Sequence, residues 1–140
     1  MVVTLQRKQE RTSLYNLQSI TVQPKMNIDN LKSQMRKGML EFCVLLLLKN
    51  GDAYASQIIS SMKEAHLIVM EGTLYPLLTR LKNDGLLTYR WEESPSGPPR
   101  KYYQITELGL NFLAQLNDSW NEISLTVNHL LNQSTSTTEQ

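Results

Sequence analysis

The sequence predicts a mainly α-helical fold with one small β-hairpin and one long C-terminal helix. Three patterns indicate this fold: an amphipathic stretch over residues 71–84, two alternating runs around a Pro/Gly-rich segment, and a hydrophobic seam from Leu108 to Leu130. The chain has 140 residues, the length of one domain, and 41% of them are hydrophobic. This composition supports a packed core and excludes a wholly disordered protein.

A first helix is predicted over about residues 31–50 and ends at Gly51. Its second half, Phe42–Leu48, is apolar on every side, so it needs a covering layer from the C-terminal helix or a partner subunit. That run has seven residues, against the roughly 20 needed to span a membrane. Cys43, the single cysteine, lies within it and is expected to be a buried structural thiol. A lone cysteine excludes an internal disulfide and suits the cytoplasm.

A second helix is predicted over about residues 54–65 and a third over residues 71–84. The leucines of the third helix fall within an arc roughly 100° wide, as expected of a core-facing stripe: Leu74, Leu77, Leu78 and Leu81. Gly85 follows as a helix-ending residue, since glycine tolerates positive φ. The opposite arc is polar and mixed, and consists of Thr73, Tyr75, Pro76, Thr79, Arg80, Lys82 and Asn83.

Pro76 constrains where the third helix begins. A proline inside a helix costs about 3 kcal/mol, but in the first turn its missing N–H has no helical partner to lose. We therefore expect Thr73 to lie near the N-cap and Pro76 in the first turn. This position predicts that the N-terminal end of the helix, where free N–H groups favour phosphate, faces its ligand.

Two strands are predicted after the third helix. Leu87, Tyr89 and Trp91 alternate with their neighbours on the first strand, and the second runs from Arg100 to Ile105. The segment between them, residues 92–99, contains three prolines and a glycine. Because proline removes ladder donors, we expect pairing to stop there and a loop to project.

The last helix is predicted over residues 107–131, with Thr106 as its N-cap and Glu107 at the positive end of the helix dipole. Its apolar residues recur at spacings of three and four, and are Leu108, Phe112, Leu116, Trp120, Ile123, Val127 and Leu130. Such a seam is too long to bury against one small domain. It predicts a two-fold symmetric homodimer. Residues 132–140, which follow it, are polar and are expected to form a disordered tail.

The charge of the chain is polarised although its net value is only +1. Residues 1–40 carry seven basic and two acidic groups, a net +5. Residues 41–106 carry seven of each, and residues 107–140 carry four acids and no Lys or Arg. This distribution suits a dimer that turns its acidic last helices away from an anionic partner.

No group of residues in the sequence has the spacing of a catalytic or metal site. His66 and His129 lie far apart on different elements, without a cysteine or paired carboxylate at ligand spacing. Glu92 and Glu93 are adjacent on an extended segment and point to opposite faces, which disfavours an acid/base pair. We therefore expect no enzymatic activity, no cofactor and no metal ion.

Three segments in order, EGTLYPLLTRL, DGLL and RWEESPSGPPRKYYQIT, with Gly109 shortly after, resemble the PadR family of bacterial winged helix-turn-helix transcriptional regulators. The resemblance runs from about Leu31 to Leu131 and is to the multidrug-regulator-like subgroup with a short C-terminal helix region. The segment RKGMLEFCVLLLL at residues 36–48 is similar to the first helix of that family. One departure is Tyr54-Ala55-Ser56, where the family has a Tyr-Gly-Tyr type of sequence.

The resemblance implies a dimeric, sequence-specific DNA-binding regulator of the cytoplasm, a repressor released by a small hydrophobic or aromatic effector. Residues 26–106 would form the winged helix-turn-helix and residues 107–131 the dimerisation helix. The partner would be double-stranded DNA with a palindromic operator, its half-sites about 10 base pairs apart or a multiple of that. The alternative function is a winged-helix module that contacts proteins without binding DNA.

The residues expected to contact DNA come from the first three helices and the wing, and are Lys32, Arg36, Lys37, Tyr54, Gln57, Thr73, Tyr75, Pro76, Thr79, Arg80, Lys82, Gly97, Arg100 and Lys101. Three residues are expected to bind the effector: Met35, Met39 and Trp120. For Trp120 packing in the dimer core is the alternative.

Residues 1–25 are polar, lack an apolar period and are expected to form a flexible basic arm. Two interpretations stay open. In the first, Met26 is the true initiator and residues 1–25 are an extension of the reading frame. In the second, the arm touches DNA phosphates through Arg7, Lys8, Arg11 and Lys25.

Overall fold

A computed structural model of the protein describes residues 25–135, with side chains up to residue 133. Its elements in chain order are α1 (Ile28–Lys49), α2 (Ala55–Glu64), α3 (Glu71–Asn83), β1 (Leu87–Ser94), β2 (Gly97–Ile105) and α4 (Glu107–Thr135). This is the predicted mainly helical fold with a small β-wing and a long last helix. The described residues divide into two units, one ending at Arg36 and the other beginning at Lys37. The expected N-terminal arm, except Lys25, and residues 136–140 of the expected tail lie outside the described residues.

The hydrophobic core packs against the second half of α1 without covering it on every side, since Leu46 is 38% exposed. Val44, Leu45 and Leu48 of α1 are almost fully buried. The leucine stripe predicted for α3 is buried as well, and α4 contributes Leu113. Cys43 is half-buried rather than buried, and desolvation raises the pKa of its thiol, which keeps it protonated at neutral pH.

Helices α2 and α3 end in the same way, at residues with left-handed backbone conformation. Gly85 has φ of 81°, as expected, and its successor Leu86 donates its N–H to the Leu81 carbonyl at 3.0 Å. His66 has φ of 63°, and Leu67 donates to the Met62 carbonyl at 2.8 Å. This end of α2 is not predictable from the sequence, because a left-handed histidine has no sequence signature comparable to that of glycine.

The position expected for Pro76 is wrong. The N-cap of α3 is Met70, not Thr73, and the Met70 carbonyl accepts N–H bonds from Thr73 and Leu74, both at 3.0 Å. Val69 is buried beside it and anchors the start of the helix to the core. Pro76 therefore lies in the second turn, where its missing N–H would have reached the Gly72 carbonyl. Gly72 is exposed, so water can satisfy that carbonyl.

The projecting loop expected over residues 92–99 is also wrong, because the strands stay paired up to Ser94↔Gly97. The pairing is irregular between Glu92↔Arg100 and Ser94↔Gly97. In that interval β2 has two residues, Pro98 and Pro99, and β1 has one. The prolines thus lie in a bulge, which tolerates residues without an N–H, and only Pro95 and Ser96 form the turn.

A short third segment pairs with the wing in front of α2. Ala53 donates its N–H to the Tyr103 carbonyl at 3.2 Å and accepts the Tyr103 N–H at 2.9 Å. This bridge is not predictable from the sequence, because one residue is too short to show a strand period. The bridge joins the beginning of α2 to the base of the wing.

Helix α4 begins at a junction with the end of α3. The Thr106 hydroxyl accepts the Gly109 N–H at 3.0 Å, which confirms Thr106 as the N-cap. The same hydroxyl lies 2.6 Å from the Gly85 carbonyl oxygen and 3.0 Å from that of Leu86, to which it can donate. The Thr106 N–H also donates to the Leu86 carbonyl at 3.0 Å. The turn after α3 and the first turn of α4 are therefore bonded together.

Apart from Gly109 and Leu113, α4 is largely exposed, and it is longer than expected. It runs to Thr135 rather than Leu131, and the side chains of Gln133 and His129 bond one turn apart, at 3.0 Å. The seven apolar residues of the expected seam are each 36–58% exposed. None of the described helices is both long and apolar enough to span a membrane.

We expect Gly109→Ala to destabilise the protein by about 1–3 kcal/mol, because a Cβ there would overlap the Leu86 carbonyl oxygen and lie 2.7 Å from Cγ1 of Ile105. Urea unfolding followed by circular dichroism would measure this. Gly38→Ala is the matched control, since its Cβ would meet nothing within 4 Å. That helical substitution should stabilise by about 0.5–1 kcal/mol. Equal effects of the two substitutions would contradict the close approach of Gly109.

Candidate nucleic-acid interface

A groove of about 410 Å³ lies where α3, the start of α2 and the wing meet. We call this the wing groove; it is lined by Tyr54, Ala55, Ser56, Tyr75, Thr79, Trp91, Pro99, Arg100, Lys101 and Tyr103. Five of the residues expected to contact DNA are among them, from three separate elements: Tyr54, Tyr75, Thr79, Arg100 and Lys101. The fold thus brings these five residues together.

Helix α3 presents one face to the wing groove. Tyr75 is 50% exposed and Thr79 lies one turn later, where its hydroxyl donates to the Tyr75 carbonyl at 3.0 Å. The Thr79 oxygen can still accept a hydrogen bond, and the phenol of Tyr75 can donate or accept. These groups are suited to contacts with base edges and phosphates. Thr73, Pro76 and Lys82 are exposed on the same helix outside the groove lining.

Two arginines near the groove are paired with carboxylates. Arg80 of α3 forms an ion pair with Glu41 of α1. Arg90 of β1 forms one with Asp52 and a longer one, 3.6 Å, with Glu92. The hydrogen bond to Asp52 is the main cause of a raised pKa for Arg90, which stays charged in any case. These pairs reduce the net positive charge that either arginine offers to an anion.

The cations of the wing groove are different: Arg90 also lies over a ring, that of Tyr102 at 5.3 Å, but Arg100 and Lys101 have aromatic neighbours without a carboxylate partner. The Arg100 guanidinium lies 4.5 Å from the centroid of the Tyr54 ring. The Lys101 ammonium lies 4.3 Å from that of Tyr89 and 5.4 Å from that of Trp91. Within the described residues neither cation forms an ion pair with a carboxylate. A ring attracts a cation without neutralising it, so both keep their full charge beside α3.

Tyr54 and Gln57 also have structural roles at the start of α2. The Tyr54 ring packs edge-on against the Tyr102 ring, with their centroids 5.2 Å apart, and it also contacts the Arg100 guanidinium. The Gln57 amide oxygen accepts the Tyr54 N–H at 3.2 Å and so caps the helix. Gln57 lines a separate open cavity of about 590 Å³ rather than the wing groove.

The remaining DNA-contact candidates lie elsewhere. Lys32 and Arg36 are exposed in the unit that ends at Arg36. Lys37 and Gly97 are exposed in the other unit, Gly97 next to the hairpin turn. None of these four lines the wing groove.

Five residues of the groove are missing from the sequence-based list, and two of them carry aromatic rings, Trp91 and Tyr103. Tyr103 is buried; desolvation is the main cause of its raised pKa, with Tyr75 and Tyr89 adding to it, so its hydroxyl stays protonated. Trp91 is 62% exposed and lies directly across the hairpin from Lys101. The alternation along each strand shows in the sequence which residues share a face. The pairing of Trp91 with Lys101 depends on the register between the strands, which the alternation does not give.

The three effector candidates belong to α1 and α4. Met39 is half-buried against the core, Met35 is exposed in the unit that ends at Arg36, and Trp120 is 43% exposed on α4. A cavity of about 440 Å³ between α1 and α4 is lined by other residues, Leu46, Lys49, Leu110, Leu113, Ala114, Asn117 and Asp118. Among the described residues there is no cluster of three or more His, Cys, Asp or Glu side chains that could hold a metal ion.

Comparison with known proteins gives one consistent result. Residues 44–115 match the profile of the transcriptional regulator PadR-like family. A PadR-like transcription factor from Bacteroides fragilis is 65% identical, over 72% of this chain and 98% of that one, with a TM-score of 0.63. A PadR family regulator from Eggerthella lenta is 33% identical, over 74% and 91%, with a TM-score of 0.66. An uncharacterized protein from Lysinibacillus sphaericus is 32% identical over 95 residues, 66% of this chain and 87% of that protein.

Proposed function

We infer the function from one premise: the chain belongs to the PadR-like family of transcriptional regulators. It is therefore a DNA-binding regulator, and not an enzyme. Beyond this, we propose that it is a dimeric, sequence-specific repressor whose wing groove docks on double-stranded DNA. The observation that carries the proposal is the pair of wing cations, Arg100 and Lys101, which lie on aromatic rings and form no ion pair with a carboxylate within the described residues.

The docking that we propose divides the contacts between helix and wing. Tyr75 and Thr79 of α3 enter the major groove and read base edges, while Arg100 and Lys101 hold phosphates or the adjacent minor groove. Tyr75 and Thr79 lie one turn apart, beyond the first turn of α3. The middle of α3, rather than its N-terminal end, therefore faces the DNA.

The dimer is formed, in this proposal, through the exposed seam of α4. The helix has 29 residues and spans roughly 44 Å, and its seam residues are 36–58% exposed in one chain. A surface this apolar and this long is typical of a subunit interface. Two-fold symmetry places two wing grooves on one duplex and requires a palindromic operator with half-sites about 10 base pairs apart or a multiple of that.

The effector of the proposed repressor is a small hydrophobic or aromatic molecule that binds at Trp120. Trp120 lies within the exposed seam, so its ring borders both subunits of the proposed dimer. An aromatic ring suits a flat apolar guest, and methionine side chains such as that of Met39 are adaptable partners for one. A guest between the subunits would change the distance between the two wing grooves and so release the DNA.

Replacing both Arg100 and Lys101 by Ala should weaken binding to every duplex alike, because phosphates carry no base sequence. The slope of log affinity against log salt should flatten by roughly 1–2 units, since each lost phosphate contact removes about 0.9. Fluorescence anisotropy with a random and an operator-containing duplex, selected from genomic DNA retained by the protein, measures both effects.

The matched variant is Tyr75→Ala, which should instead reduce the preference for the operator over random DNA. An unchanged salt slope in the wing variant would remove the wing from the interface. Absence of salt-dependent binding by the wild-type protein would favour the alternative function, a winged-helix module for protein contacts.

Introducing charge at two seam positions, Ile123→Glu with Val127→Glu, should convert the dimer to a monomer, because two carboxylates would be buried on each side of the interface. Analytical ultracentrifugation measures the mass. Leu125→Glu is the control, since Leu125 is 71% exposed on the same helix but outside the seam. A wild-type monomer, or a double variant that still dimerises, would contradict the proposed interface.

A planar aromatic probe such as acridine should quench tryptophan fluorescence in the wild-type protein and much less in Trp120→Phe. The physical reason is that quenching falls steeply with distance, so a probe bound at Trp120 quenches that ring most strongly. Trp91→Phe is the control and should keep the Trp120 component of the quenching. Equal quenching in wild type and Trp120→Phe would exclude an effector site at this ring.

A further inference from the structure

We propose that Trp91, together with Tyr89, is a positioning residue that holds Lys101 for its contact with a DNA phosphate. This inference rests on the proposed function and adds to it a residue that makes no contact with base or phosphate. Tyr89 and Trp91 form what we call the aromatic seat. Their rings meet edge-on with centroids 6.3 Å apart, and the Lys101 ammonium lies 4.3 Å and 5.4 Å from them.

The register of the hairpin builds the seat. Trp91 is paired directly with Lys101 across the strands, and Tyr89 is paired with Tyr103, so all four side chains lie on one face of the wing. The irregular pairing begins only after Glu92↔Arg100, so Lys101 is in the last regular stretch before it. The side chain that needs positioning is therefore anchored to a fixed backbone.

Trp91 is the member of the seat whose role is best separated from folding. Tyr89 is half-buried, packs against the core and meets the buried Tyr103 ring at 6.0 Å. Trp91 is 62% exposed, so little core packing depends on it. A large aromatic ring left in solvent beside the DNA-facing groove has no function in the core, but it can lie under an ammonium group.

An aromatic seat suits phosphate binding better than a carboxylate does. Arg80 and Arg90 are held by acids, with which a phosphate would have to compete. The rings of the seat offer the Lys101 ammonium no carboxylate oxygen, so a phosphate has no acid to displace; the Tyr89 ring also has the Lys82 ammonium 5.8 Å from its centroid. Because the seat also restricts the rotamers of a long side chain, less entropy is lost when the phosphate binds.

The experiment is a double-mutant cycle of Trp91→Leu and Lys101→Ala, read by anisotropy of a labelled random-sequence duplex at several salt concentrations. Trp91→Leu alone should weaken binding by about two- to fivefold, the magnitude of an exposed cation–π contact. It should have no effect in the Lys101→Ala background. The salt slope should flatten by about 0.9 in Lys101→Ala and stay unchanged in Trp91→Leu, which retains the charge.

Three controls accompany the cycle. Trp91→Phe should restore most of the affinity, because a ring is kept. Thr88→Leu places the same leucine at an exposed position of the same strand outside the groove lining, and should leave affinity unchanged. Without DNA, the ε-CH₂ protons of Lys101 should show an upfield NMR shift from the rings, which Trp91→Leu reduces.

The outcomes separate this inference from the proposed function. Equal weakening by Trp91→Leu in both backgrounds would overturn it, because Trp91 would then touch DNA itself or support the fold. The inference would also be overturned if Trp91→Leu left the affinity unchanged, or if it left the NMR shift of the Lys101 ε-CH₂ protons unchanged. If the wild-type duplex binding is normal in these cases, the proposed function stands. Loss of all wild-type DNA binding would overturn the proposed function, and the positioning role with it.

Discussion

The close approach of two backbones at Gly109 is the constraint on which the rest of the structure depends. The first turn of α4 lies on the Leu86 carbonyl so closely that no side chain fits between them. The Thr106 hydroxyl and N–H close the contact with bonds to Gly85 and Leu86. One small junction thereby fixes the end of α3, the start of the wing and the direction of α4. In the proposed dimer a rotation of α4 would be transmitted to α3 through these bonds, without a flexible linker to absorb it.

Sequence patterns predicted the elements of the fold well and their ends less well. The leucine stripe of α3, the glycine that ends it and the N-cap Thr106 all follow from local rules, because each depends on residues within a few positions. The expectations about proline failed because they depended on context. The bulge that accommodates Pro98 and Pro99, and the buried Val69 that moves the start of α3, are tertiary features. A local rule states what a proline removes, but not whether the removed bond was needed.

The same contrast holds for the candidate site: the sequence shows the types of its residues but not the side chains with which they interact. A basic helix and a basic wing were visible in the sequence, and five of the expected contact residues do line one groove. What the sequence lacked was the partner of each cation, because Glu41 and Asp52 are far from Arg80 and Arg90 along the chain. The same limitation hid Trp91, whose connection with Lys101 exists only in the strand register. Residue type thus predicts a surface, whereas pairing decides which of its charges is free to act.

This distinction explains how a protein with a low net charge can bind DNA. With a net charge of only +1, long-range attraction between the whole chain and a duplex is weak. Local charge then has to be concentrated where phosphates meet the protein. In the proposed interface this concentration comes from Arg100 and Lys101, which lie on aromatic rings, whereas Arg80 is paired with an acid. An ordered, uncompensated cation binds phosphate at short range, where geometry selects the duplex, instead of attracting every polyanion at a distance.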